Sequence, residues 1–556
     1  MTHASRLLSH IPNLLTSMAR LLFAALIMVC FVYPLVRFLA LPLIPSLAPL
    51  PPLDTALRHG LSPIAMWNTV RLSIEAGFLV VPPGLLIGFL LERRRWLGRG
   101  FLSVTLWAVF LMPSYLLTSG WQILVAMPVL ADSHISRLFY GEAGIVFLLT
   151  IKGLAFSAMS ARTGWHVLGE DLEAASRMHV RTAWRRWWLI ARLLFPIVGS
   201  MMMVQMVAAS QDFGVAATLG AQVHLPLVSY VIYQNLSTIP VDFSRAALLS
   251  LFLVCLALLA LGAQAMLGRS QAATIGGRQH RPVALSCRPV MLALAWLLTG
   301  SVFLAGVGAP QVALAVEGMS GPAVHGSLVD AGSWRAISLS LRYGFVSAVA
   351  AVLLAAIILG GRMRSGKGGA VLARLLLWLT SANMAVPGVI LGASYLIAFN
   401  GGMLALYGTP MLLLLAYTAS HLPVALRFLD APFASLHRGL GEAARVHGLS
   451  LSERLEGIYL PLLIRPLSWA WAMVFITVFF ELPLSEILYP AGTPPLAVRL
   501  LSLGISQHYE AQARVALVGM VTCLAVTCLG LVLVPFLAGP TDGTDTTFKA
   551  DKANGR

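Results

Sequence analysis

Charge is what this 556-residue chain has least of. Only 11% of its residues are Asp, Glu, Lys or Arg, where soluble domains carry roughly a quarter, so a soluble globular protein, or a soluble enzyme with one membrane anchor, is excluded. Lysine is almost absent: four (Lys152, Lys367, Lys549, Lys552) against 34 arginines, an imbalance that reads as codon bias. The five cysteines (Cys30, Cys255, Cys287, Cys523, Cys528) form no CxxC pair, which argues against a disulfide framework or a metal site and leaves them as small apolar packing residues. No HExxH, GxSxG or paired-cysteine zinc pattern occurs, so no covalent chemistry is indicated and the chain is not read as an enzyme. The stretch Gly361-Arg-Met-Arg-Ser-Gly366-Lys367-Gly368 nearly spells a phosphate-binding loop, but it lacks the Ser/Thr after Lys and follows an apolar helix instead of a strand.

What is abundant is apolar surface: 58% hydrophobic residues and a mean hydropathy of +0.83. A membrane helix needs about 20 apolar residues. Runs of that length between Arg, Gly and Pro clusters predict twelve spans, near 19–43, 67–91, 102–128, 143–161, 192–217, 246–267, 288–308, 336–360, 375–398, 410–428, 466–489 and 513–538. The first is too long, and is followed by too much hydrophobic chain, to be a cleaved signal peptide.

The net charge of +16 would suggest nucleic acid on a soluble chain; here its placement gives an orientation, and no nucleic-acid partner is implied. Basic side chains stay cytoplasmic during insertion. Arg93–Arg95 with Arg99, Arg162 with Arg177–Arg186, Arg269–Arg281, Arg362–Arg374, Arg438–Arg465 and the tail 541–556 fall on one side. The other side holds little more than Arg58, Arg137, Arg245, Arg335 and Arg499. Both termini are therefore expected in the cytoplasm.

The chain also repeats. Trp67-Asn-Thr-Val-Arg-Leu-Ser73 is echoed by Trp334-Arg-Ala-Ile-Ser-Leu-Ser340, and Glu173-Ala174-Ala175 by Glu442-Ala443-Ala444, at almost the same separation along the chain. Near-equal offsets on the same expected side imply two six-span halves in parallel, 1–267 and 288–540, joined by a cytoplasmic linker, 268–287. Parallel halves have a pseudo-twofold axis along the membrane normal, with a pathway between them.

The longest cytoplasmic connections inside the halves lie near 163–191 and 429–465. In the second, Glu442 is expected in the first turn of a short helix, and Gly448 supplies the left-handed residue that ends it. Ser450 and Glu453 have capping-box spacing for the next helix. Small Ala443 and Ala444 would let another protein approach this helix–turn–helix finger closely.

Glu442-Ala443-Ala444, then Gly448, then Ile458-Tyr-Leu460-Pro461 resembles the EAA loop of permeases of binding-protein-dependent ABC importers. The resemblance implies the type I importer permease fold in a bacterial inner membrane, and no cofactor bound by this chain. Two copies of an ATPase that uses ATP would dock on the loops, and a periplasmic binding protein would deliver substrate. Glu173, Ala174, Ala175, Glu442, Ala443, Ala444 and Gly448 become the ATPase-coupling residues. The first loop departs from the pattern: His179 stands where Gly is expected, and Pro196 falls further beyond Glu173 than Pro461 falls beyond Glu442. Its Arg181, Trp184, Arg185, Arg186, Trp187, Trp188 cluster is expected at the lipid headgroups. Asp212-Phe213-Gly214, Glu481-Leu482-Pro483, Leu496-Ala497-Val498-Arg499 and Tyr509-Glu510-Ala511 resemble the ferric-iron branch, which implies Fe(III) as cargo. Thiamine, a polyamine or a phosphonate remain alternatives within the class. Outside it stand a secondary transporter or channel driven by an ion gradient, which has no use for paired EAA fingers, and a membrane-embedded enzyme, which would need clustered acid, base or metal-ligand groups.

Ionisable groups at membrane depth are costly and mark pathways. Glu75, Asp212, His421 and Glu481 are the candidates. Asp212 and Glu481 lie at corresponding positions near the outer ends of spans, and carboxylates are hard donors suited to Fe(III). Capping helix ends or pairing with Arg is the competing role for them, and packing for His421, so no metal ligand is assigned.

Overall fold

A computed structural model of the chain describes residues 27–43, 62–167, 178, 182–272, 285–286, 289–320, 328–364, 377, 386–401, 405–436 and 438–537. It is a polytopic all-α protein. Among the described residues, nine helices are long and apolar enough to cross a membrane, and a tenth crossing is a pair of helices, Arg99–Leu111 and Ser114–Ala126, bent by 102° at their junction. These ten match ten of the twelve spans expected from sequence. In the other two, near 19–43 and 375–398, the described residues hold the shorter apolar helices Val29–Leu39 and Gly388–Ala398.

In chain order the helices are α1 (Tyr33–Leu39), α2 (Pro63–Leu79), α3 (Val81–Arg93), α4 (Arg99–Leu111), α5 (Ser114–Ala126), α6 (His134–Phe139), α7 (Glu142–Val167), α8 (Ala183–Gln211), α9 (Val228–Ser237) and α10 (Phe243–Ala272). There follow α11 (Pro289–Phe303), α12 (Ala309–Ser320), α13 (Ala331–Arg364), α14 (Gly388–Ala398), α15 (Pro410–Ser435), α16 (Arg438–Val446), α17 (Leu451–Arg454), α18 (Leu460–Phe479), α19 (Pro483–Leu488), α20 (Leu496–Ile505) and α21 (Tyr509–Leu537). Prolines start several of them, as the missing N–H demands: Pro63 follows Ser62, whose hydroxyl accepts from Ala65 N. Pro423 and Pro432 inside α15 and Pro196 inside α8 are tolerated because neighbouring helices satisfy the freed backbone.

Contacts between helix ends fix the path of the chain. Small residues let α3 and α7 touch: a Cβ on Gly88 would lie 2.7 Å from the Arg162 backbone nitrogen and 2.6 Å from Ala161 Cβ, close packing of the kind that joins membrane helices. One turn on, Glu92 takes Arg162 Nε at 2.9 Å and faces His166 Nδ1 at 2.7 Å, so α3 and α7 end at the same level. At the opposite level Arg71 of α2 pairs with Glu142 at the start of α7 at 2.5 Å. The α4–α5 pair leaves the first level shortly after strand β1 (Arg94–Arg95) and must reach the second before α7 begins, so it is one broken crossing.

Distant parts of the sequence interlock. Helix α1 packs on α14, where Tyr395 donates to the Cys30 carbonyl and Arg37 Nη1 to the Ala398 carbonyl at 3.2 Å. Helix α12 packs in turn on α5 and α21, and Trp121 Nε1 donates to the Ala305 carbonyl at 2.9 Å. The one described pair of strands joins β1 to β2 (Leu285–Ser286) in parallel. Part of the stretch expected as a linker is thus tied to the turn after α3.

Candidate functional site

Helix α8 stops at Gln211 because Asp212, its C-cap, turns extended and accepts Val215 N on Oδ1 at 2.7 Å, starting the next turn of helix. Glu481 stands to Asp212 as Glu442 stands to Glu173 along the chain. It follows the end of α18 and accepts Leu484 N at 2.9 Å and Ser485 N at 3.0 Å, capping α19. Both carboxylates therefore sit in turns just past the helices, where sequence reasoning put them inside spans 192–217 and 466–489. Side-chain hydroxyls also start two later helices: Thr69 Oγ1 accepts Val228 N at 3.0 Å at the start of α9, and Ser340 Oγ accepts Leu496 N at 2.9 Å at the start of α20.

The two carboxylates share one cavity. About 310 Å³ in volume, it is lined by Pro113, Ser114 and Tyr115 from the α4–α5 break, by Ala208 and Gln211–Gly214, and by Phe480–Pro483. Asp212 and Glu481 are half-buried on its wall, and Ser114 packs against the Asp212 turn, where a Cβ on Gly214 would lie 2.3 Å from Ser114 Oγ. The Tyr115 hydroxyl, buried, has no hydrogen-bond partner among the described residues. Behind Glu481, Ser485 Oγ lies 2.7 Å from Tyr417 Oη, which extends the polar network into α15. The described residues gather no group of three His, Cys, Asp or Glu side chains able to hold a metal.

The other sequence candidates lie elsewhere. Glu75 is a half-exposed partner of Arg71, at 3.7 Å, and is absent from the cavity wall. His421 holds its own helix through Nδ1, 3.0 Å from the Tyr417 carbonyl. Sequence reasoning passed over Lys152, although it is an ionisable residue inside an apolar run and holds the place in the first half that His421 holds in the second. Its Nζ donates to the carbonyls of Val109 (3.3 Å), Phe110 (3.4 Å) and Met112, at the α4–α5 break. At the start of α13, Asp330 pairs with Arg499 at 3.3 Å. Burial pushes the Asp330 carboxyl up, but the Ser333 hydrogen bonds and the Arg499 charge outweigh it and hold it below its usual value.

The finger at 438–459 is built largely as its sequence implies. Gly448 has φ +74 and Leu449 N donates to the Ala444 carbonyl at 3.0 Å, the longer of the two Schellman bonds. Ser450 and Glu453 cap each other: Glu453 Oε2 accepts Ser450 N at 2.7 Å, and Ser450 Oγ accepts Glu453 N at 3.3 Å. Two details differ from expectation. Helix α16 begins at Arg438, so Glu442 sits in its second turn, beyond the strongest part of the helix dipole. Ala444 is buried, so its small side chain serves packing within the chain, while Glu442, Ala443 and Val446 face outward. Glu173, Ala174, Ala175 and His179 lie outside the described residues. Trp184 and Trp188 are exposed at the start of α8, and Arg192 lies over the Trp188 ring at 5.9 Å.

Comparison with known proteins gives a consistent picture. No family model and no solved structure matches. The chain is 25% identical over 505 residues to a Sinorhizobium fredii protein named "Probable ABC transporter permease protein y4fN", covering 84% of this chain and 86% of that one. It is 23% identical over 453 residues to "Fe(3+)-transport system permease protein FbpB 2" of Haemophilus influenzae, covering 79% and 83%. It is 22% identical over 321 residues to "Ferric transport system permease protein FbpB" of Actinobacillus pleuropneumoniae, covering 55% of this chain and 46% of the relative. By likeness over most of its length, the chain is a multi-pass membrane relative of ABC transporter permeases.

Proposed function

We propose that this chain is the permease subunit of an ATP-driven importer of the bacterial inner membrane, with both termini cytoplasmic, and that Fe(III) handed over by a periplasmic binding protein is its cargo. Residues 1–267 and 288–540 act as two halves around the cavity, and the chain itself binds no cofactor. Two copies of a separate ATPase dock on the loops near 163–191 and 429–465. Closure of the ATPase pushes both fingers, and the halves rock to open the cavity to either side. The observation that carries this reading is the shared cavity, where two carboxylates from equivalent positions meet. It is supported by the names of the relatives and by a finger whose Glu442 and Ala443 are exposed for a partner.

A second reading keeps the transporter and changes the cargo. Tyr115, Phe213 and Phe480 share the cavity wall with the carboxylates, a combination that would also suit an aromatic organic cation such as thiamine. Radioiron and labelled thiamine uptake, measured in cells carrying the permease with its ATPase and binding protein, separate the two. Iron uptake that depends on the chain is expected; thiamine uptake without iron uptake would overturn the cargo assignment. Glu442→Lys places a cation where the finger meets the ATPase. It should abolish ATP-coupled uptake while membrane insertion continues, and unchanged uptake would remove the coupling role.

A further inference from the structure

The break between α4 and α5 needs a physical cause. A helix that stops inside a membrane leaves carbonyls at its C-terminal end without partners, and each would cost several kcal/mol in hydrocarbon. Pro113 explains why α4 cannot continue, since it offers no N–H and disfavours helical geometry at Met112. It does not explain what satisfies the carbonyls exposed by the stop. Lys152 does: its ammonium has three N–H donors, and the carbonyls of Val109, Phe110 and Met112 are its three acceptors. The cation also sits at the negative end of the α4 dipole. No carboxylate forms an ion pair with Lys152 among the described residues, and Asp212 is its electrostatic neighbour at longer range.

We infer that Lys152 is a clasp that holds the broken crossing at its bend and thereby positions Ser114 and Tyr115 on the wall of the carboxylate cavity. The chain of contacts is short. Lys152 holds the last carbonyls of α4; Pro113, at the N-cap of α5, has φ −62 and ψ 140; Ser114, the next residue, packs against Gly214 in the Asp212 turn. Lys152 is a positioning residue, since it does not line the cavity. Its counterpart along the chain, His421, turns back on its own helix.

Without the lysine, water must enter the break to satisfy the three carbonyls, and the start of α5 loosens. The test uses the full chain with its native cysteines replaced by alanine and a single reporter, Ala208→Cys on the cavity wall, labelled in membranes with a small water-soluble maleimide. Lys152→Met should speed labelling at least fivefold. A reporter at exposed Asp132→Cys, remote from the break in sequence, should stay within twofold, which separates a local opening from general loosening. Labelling at Ala208→Cys that is unchanged or slower, or acceleration equal at both reporters, overturns the clasp. If the methionine variant does not reach the membrane, Lys152→Gln, which removes the charge but keeps a donor, is read by the same two rates. The uptake arm rests on the proposed function: iron uptake should fall at least fivefold in Lys152→Met. If even the parent chain moves no iron, the cargo assignment fails while the labelling result still decides the clasp.

Discussion

The Asp212 and Glu481 walls of the cavity occupy equivalent places but are built differently. Glu481 is served by its own turn: one oxygen accepts Leu484 N, and the other accepts Ser485 N and lies 3.0 Å from Ser485 Oγ, behind which stands Tyr417. Asp212 takes Val215 N from its own turn at 2.7 Å, and Ser114 of the broken crossing packs against that turn at Gly214. A carboxylate already served by several donors has less to offer a passing cation. The Asp212 wall is thus the more available, and it is also the one tied to a separate helix by Lys152.

Removing charge from each wall is the sharpest way to break that contrast. Asp212→Asn should lower substrate uptake more than tenfold, about 1.4 kcal/mol or more in transition-state terms, with the protein still inserted; equal losses at both sites would dissolve the distinction. Glu481→Gln should reduce uptake only about threefold, because amide and carboxylate oxygens can both accept from Leu484 N, while thermal unfolding of the purified chain shows lost capping of about 1 kcal/mol or less. A Glu481→Gln variant without transport would make Glu481 the principal cation contact. The smallest effect lies at the start of α13, where Asp330→Asn removes a half-exposed ion pair worth under about 1 kcal/mol. The folded Asp330 carboxyl lies below its usual value, so its contribution is present at neutral pH and fades as pH falls below about 4. The melting difference between parent and variant should shrink over that range; a difference that grows in acid would reverse the assigned sign.

Much of this was legible in the sequence, for identifiable reasons. Membrane spans are long and their apolar signal is strong, so their existence and order could be read. The Gly448 turn and the Ser450–Glu453 box are local devices that depend on neighbouring residues. The pairing of Asp212 with Glu481 could be anticipated because a repeat carries positions across. What could not be read depended on where helices stop. The ends of α8 and α18 were misplaced by a few residues because apolar side chains continue past Asp212 and Glu481. The 102° bend was hidden because Met112-Pro113 lies in an unbroken apolar run. Lys152 was overlooked for the same cause, since its partners are backbone carbonyls 40 to 43 residues away, with no side-chain signature. The pairing of Glu75 with Arg71, one helical turn back, is a local contact that the apolar pattern does not display.

The interlocking of α1 with α14 has a temporal consequence. Arg37 finds its acceptor at Ala398, 361 residues later, and ribosomes add about 5–20 residues per second. The first described helix therefore waits on the order of 20 to 70 s in the nascent chain before the Ala398 carbonyl is synthesised. For that interval Arg37 keeps the Tyr33 hydroxyl of its own helix as a partner and lacks its distant acceptor. This contact is thus a late closure, made long after the residue that donates to it.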